Sequence, residues 1–112
     1  MMTTRMQVYQ PLTRLLSAAD TDALETWMER NLNQGARTIA IDLKNVMFMD
    51  SSGLGMLLSA QKRVQRVGGV FALCGVQEQT QMVLNLTNTE KLFTIYDSVE
   101  AFERSRAQSA EV

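Results

Sequence analysis

The chain contains no histidine, one cysteine (Cys74) and one proline (Pro11). Without histidine, neither a Ser-His or Cys-His catalytic pair nor a histidine-bearing zinc site can be assembled from its own side chains. A single cysteine cannot close an internal disulfide, which fits a reducing, cytoplasmic setting. No segment approaches the roughly 20 apolar residues that a membrane-crossing helix requires. The first residues, Met1 to Gln7, lack the apolar core of a secretory signal. Charge of one sign is also missing: 11 basic residues face 12 acidic ones, for a formal net charge of −1. That leaves no basic excess to attract nucleic acid and no acidic tail to favour disorder.

What is present suits one soluble domain over residues 1–112. Apolar residues make up 46% of the chain and charged residues 21%, enough to build one core and too little length for two. Short strands are expected at Met6–Tyr9 and Leu12–Leu16, on either side of Pro11. Ser17, Asp20, Thr21 and Asp22 offer cap side chains to a first helix, Asp20 to Gln34, with Leu24, Trp27, Met28 and Leu32 at helical spacing. Gly35 stops it. Thr38–Leu43 then reads as a buried strand rich in β-branched residues.

A second helix is expected from about Ser52 to Val67. Leu54, Met56, Leu57, Leu58, Ala60, Val64 and Val67 would form its apolar face, and Gly68-Gly69 its stop. Val70–Cys74 reads as another buried strand, which makes Cys74 an inert thiol. Gln77 to Leu86 forms a third helix that would bury Met82, Val83 and Leu86. Phe93–Tyr96 reads as a short strand. A last helix starts at Asp97, with Glu100 completing a capping box and Val99 and Phe102 facing inward. Strands that alternate with helices imply a largely parallel sheet with helical crossovers. Loops at the carboxyl ends of such strands carry function, and Asp42 to Gly53 lies there.

Within that loop, Val46-Met47-Phe48-Met49 runs into Asp50-Ser51-Ser52-Gly53 just as a helix begins. The backbone N–H groups of a helix start lack intrahelical partners and carry the positive end of the dipole, so a phosphate is tolerated there. Ser51 and Ser52 are therefore candidate modification sites, although serine at such a position also serves simply as a cap. Gly53-Leu54-Gly55 lacks the spacing of a phosphate-binding loop. No nucleophile–base constellation, metal site or cofactor motif is legible, which points away from an enzyme.

The stretch Ile41-Asp42-Leu43-Lys44-Asn45-Val46-Met47-Phe48-Met49-Asp50-Ser51-Ser52-Gly53-Leu54-Gly55 resembles the signature of STAS domains, in particular the bacterial anti-sigma-factor antagonists. The resemblance extends through Gly68-Gly69 and Val70–Cys74 and covers about Asp20 to Phe102. It implies an α/β fold: a mixed four- to five-stranded sheet with about four helices packed on it. It also implies a phosphoprotein that works by partner switching. Unphosphorylated, it binds an anti-sigma factor that is also a serine kinase, and phosphorylation releases it. A PP2C-type phosphatase reverses the change.

Carried onto this chain, the resemblance makes Ser51 the acceptor ahead of Ser52. Asp50, Ser51, Ser52, Gly53, Leu54 and Met56 become the partner-binding residues. It implies no metal, cofactor, nucleic acid or membrane. Where the family carries Gly-x-Leu-Asp before the first helix, this chain has Arg14-Leu15-Leu16-Ser17. Three other readings stay open: partner switching with an output other than a sigma factor, a ligand-sensing module, and a scaffold subunit of a larger assembly. The ligand-sensing reading implies a concave pocket beside the second helix, and the scaffold reading implies exposed apolar patches and self-association.

Overall fold

Helix-forming and β-branched segments alternate along the chain, and the computed structural model, which describes residues 6–110, folds them as alternating layers. Strands β1 (Met6–Tyr9) and β2 (Leu15–Leu16) lead through a short 3-10 turn to helix α1 (Thr21–Asn33). Strands β3 (Thr38–Asp42) and β4 (Phe48–Met49) precede α2 (Ser51–Arg66). Then come β5 (Val70–Cys74), α3 (Glu78–Leu86), β6 (Ile95–Tyr96) and α4 (Val99–Ala110). The main sheet has the order β1-β3-β5-β6, and β2 and β4 pair separately as a small ribbon. Four to five strands and about four helices were expected, and six strands in two sheets and four helices are present among the described residues. Every pairing among the described residues is parallel, because α1, α2 and α3 each carry the chain back before the next main strand begins.

Period-two alternation divides the core. Ile39, Ile41, Phe71 and Leu73 face α1, α2 and α3, while Ala40, Ala72 and Cys74 face α4. The small residues of the second set let α4 approach closely, and Phe102 fills the space over them. Gly35 and Gly68 adopt positive φ and end α1 and α2 as expected. After each, the chain turns back: Ala36 N–H donates to the Asn31 carbonyl, and Gly69 N–H to the Val64 carbonyl.

Four expectations need correction. Helix α3 turns Thr80 and Leu84 inward, whereas Met82 and Leu86 are 54% and 78% exposed. Its rotation is set at its start, where the Gln77 amide donates to the Lys44 carbonyl and the Thr80 hydroxyl to the Val46 carbonyl. In α2, Val67 lies past the last turn and is exposed, and Gln61 is buried because its amide donates to the Leu92 carbonyl. The strand expected at Leu12–Leu16 is confined to its last two residues, and Leu12 is exposed. The cap of α4 is Ser98, whose hydroxyl accepts from Ala101 N–H, and not Asp97.

Cys74 is fully buried beneath α4. Burial pushes its thiol up to about 12, with the carboxylates of Asp42 and Glu100 adding to the rise. The native thiol thus keeps its proton above pH 9, where the unfolded chain loses it. The native state then binds more protons, so its stability falls as pH rises from about 9 to about 12. Urea midpoints should drop across that window in the wild type and drop less in Cys74→Ala. Equal slopes would refute the assignment. At pH 8 the native thiol should resist aromatic disulfide reagents and react on unfolding.

Candidate functional site

The ribbon of β2 and β4 delivers the chain to the start of α2. Leu15 pairs with Phe48 and Leu16 with Met49. Leu16 and Met49 point inward, and Leu15 and Phe48 are each 47% exposed. The ribbon continues one residue further, where Asp50 N–H donates to the Leu16 carbonyl. Ser17 consequently lies alongside Asp50. Its own N–H donates to the Asp20 carboxylate at 2.9 Å, so a carboxylate folds back onto the position where an aspartate was expected. The Tyr9 hydroxyl is pushed above its ordinary range by burial and, secondarily, by Asp20.

Asp50 caps α2. Its backbone is extended, its Oδ1 accepts from Gly53 N–H at 2.9 Å, and its carbonyl accepts the first helical bond from Leu54 N–H. The helix therefore begins at Ser51, one residue earlier than expected. With the cap supplied by Asp50, neither serine is needed for it. Ser51 and Ser52 are exposed, and neither hydroxyl makes a hydrogen bond among the described residues. Both stand on the positive end of a 16-residue helix.

Gly53 explains how the helix comes so close to the ribbon. A Cβ there would overlap the Leu16 carbonyl oxygen and lie 2.9 Å from its carbon. Of the six residues expected to meet a partner, Asp50, Ser51 and Ser52 are exposed. Gly53, Leu54 and Met56 are buried and hold the helix in place. One feature escaped the sequence: the exposed apolar shoulder of Leu15 and Phe48 on the ribbon that leads into the serines. A groove between α1 and α2, with Ser52 on its border, lies where the ligand-sensing reading expects a concave pocket beside the second helix. Period-two alternation in the ribbon could have flagged the shoulder, but two-residue strands are too short to display it.

The sequence profile of the STAS domain matches residues 9–102. The chain belongs to the STAS domain family. Among STAS relatives, the anti-sigma F factor antagonist of Paenibacillus polymyxa is 40% identical over 60 residues, which span 54% of this chain and 51% of that protein. The curated relatives are matched over 51% to 75% of their own lengths. A crystal structure of a candidate anti-sigma factor antagonist from Thermotoga maritima superposes with a TM-score of 0.74 at 31% identity, covering 88% of this chain and 87% of that one. The Bacillus cell-fate determinant SpoIIAA, in its phosphorylated form, superposes with a TM-score of 0.68 at 22% identity, covering 94% and 95%. That likeness establishes the STAS fold alone. No helix among the described residues is long and apolar enough to cross a membrane.

Proposed function

We propose that this STAS protein is an anti-sigma-factor antagonist that works as a cytoplasmic partner switch rather than as an enzyme. In its unmodified form it binds an anti-sigma factor that is also a serine kinase. Phosphorylation of Ser51 releases it, and a PP2C-type phosphatase restores binding. One observation carries this reading. Asp50 takes the capping role, leaving the Ser51 hydroxyl exposed and unengaged at the helix start, beside the apolar shoulder of Leu15 and Phe48.

The physical effect of modification is a local change of charge. A phosphoserine adds about −1.5 to −2 units at neutral pH. Added to a net charge of −1, this at least doubles the total, next to Asp50 and close to the ribbon. The free N–H groups and dipole of α2 offset the cost inside the domain. A partner surface packed on the shoulder gains no such compensation and meets a desolvated charge instead. Release then needs no large rearrangement of the fold. Ser51 is favoured over Ser52 because Ser52 turns toward the α1 side of the helix, where it borders the groove.

The test is affinity capture from the source cell with wild type, Ser51→Ala and Ser51→Asp, with the retained proteins identified. Wild type and Ser51→Ala should retain one protein with an ATP-dependent serine kinase fold, and Ser51→Asp should lose at least about tenfold of it. Incubation of wild type with that kinase and ATP should place phosphate on Ser51. Phosphate on Ser52, or retention by all three forms, would overturn the switch as described. A captured kinase that holds no sigma factor would keep the switch and change its output.

A further inference from the structure

Between α1 and α2 the surface opens into a cavity of about 290 Å³. Small-molecule sites run from about 300 to 1,000 Å³, so this space is of the size that takes a small metabolite. Its floor is apolar, formed by Leu24 and Met28 from α1 and by Met56 and Ala60 from α2, all buried. Its walls are polar and of opposite character. The α1 wall carries Thr21 and Glu25, one helical turn apart. The α2 wall carries Ser52, Ser59 and Arg63 along a single face. The ion pair found among the described residues joins Lys44 to Asp42, so neither Glu25 nor Arg63 is neutralised by a neighbour within 4.0 Å.

Gly55 supplies an independent reason to regard the groove as a site. The chain has six glycines. Gly35, Gly68 and Gly75 have positive φ, and Gly53 and Gly69 pack directly against backbone. Gly55 has neither reason: a Cβ there would meet nothing within 4 Å. It sits inside α2, where glycine costs roughly 0.5–1 kcal/mol relative to alanine. The fold does not need a glycine at this position. What the glycine does is keep the middle of the groove open, so that something from outside can reach the bare helix.

We propose that this groove binds an apolar α-amino acid. The apolar side chain lies on the floor of Leu24, Met28, Met56 and Ala60. The carboxylate meets the Arg63 guanidinium and the Ser59 hydroxyl. The ammonium meets the Glu25 carboxylate and the Thr21 hydroxyl. Both charges of the ligand then find a partner, and its body is removed from water. The proposal does not depend on the role of Ser51.

The test is an amide-resolved NMR titration of the full chain with L-leucine and L-methionine. Isocaproate, which lacks the ammonium, and isoamylamine, which lacks the carboxylate, serve as controls. Saturable shifts should appear on the groove faces of α1 and α2 with the amino acids, and both controls should bind at least about tenfold more weakly. Glu25→Gln and Arg63→Gln should each weaken binding of the amino acids by a similar factor. Gly55→Leu should abolish it while the circular dichroism of the fold is retained. No saturable shifts, or equal affinities for all four compounds, would overturn the proposal. It also falls if Gly55→Leu weakens capture of the kinase while no amino acid binds, since the groove would then seat a side chain of the partner. Loss of Ser51 phosphorylation with intact amino-acid binding would bear on the switch alone.

Discussion

Gly53→Ala should destabilise the domain by about 2–3 kcal/mol and degrade the Ser51 site with it. The added Cβ runs into the carbonyl of Leu16, with the carbonyl carbon at 2.9 Å and the Met49 Cγ at 3.0 Å. A flexible side chain could swing aside, but this carbonyl cannot. Leu16 is fully buried, is paired with Met49, and accepts a hydrogen bond from Asp50 N–H. The first turn of α2 must therefore lift away from the ribbon. That movement strains the bond from Gly53 N–H to Asp50 Oδ1, which is the cap itself. A control lies two residues along. At Gly55 a Cβ meets open space, so Gly55→Ala should stabilise the domain by roughly 0.5–1 kcal/mol through helix propensity. Urea unfolding of both variants gives the signs, and the kinase reaction on Ser51 reports the geometry. Equal effects of the two substitutions would show that Gly53 is not held against Leu16.

The contrast between these glycines marks what a sequence can and cannot reveal. Long periodic segments were legible. Helix α1, strands β3 and β5 and most of α2 fall within one or two residues of their expected ends, because each has an unbroken apolar pattern and all but β3 have a glycine just past the end. The errors gather where tertiary contacts override local pattern. Met82 and Leu86 repeat at helical spacing, yet Thr80 and Leu84 face the core, since bonds to the Lys44 and Val46 carbonyls fix the rotation of α3. Gln61 is polar but buried, satisfied by a carbonyl 31 positions away in sequence. No local window contains either partner.

The site divides in the same way. Asp50-Ser51-Ser52-Gly53 was legible as a helix start, and both serines are exposed. That Asp50 alone provides the cap was not legible, because serine and aspartate are both good caps and sequence cannot choose among adjacent ones. The choice matters for function. A serine occupied in capping would resist modification, and one released by its neighbour is available for it. The Ser17 position follows the same logic: an aspartate three residues later bonds back to its N–H, a contact that only the 3-10 turn creates.

Phe102→Ala should destabilise the domain by about 3–5 kcal/mol. The ring is 1% exposed and lies over Ala40, Ala72 and Cys74, the small-residue face of the sheet. It also stacks on Tyr96, with centroids 5.0 Å apart and planes at 28°. The neighbours beneath it cannot collapse to fill the gap. Ala40 and Ala72 are paired across two central strands and carry no longer side chain to swing in. On the opposite face α1, α2 and α3 share the work of covering the sheet, whereas among the described side chains of α4 Phe102 is the one that is fully buried on its side. Its loss should therefore loosen α4 as a unit and leave the rest of the domain folded at reduced stability. A domain of ordinary stability, about 5–15 kcal/mol, can survive that change. Two measurements separate this outcome from general unfolding. The urea midpoint should fall, and Cys74, protected in the wild type, should become reactive toward thiol reagents in water well before the transition. Because the serines sit at the start of α2, whose packing lies on the other face, Ser51 should still accept phosphate from the kinase. A midpoint shift worth less than about 1 kcal/mol with Cys74 still protected would mean that other α4 contacts hold the helix.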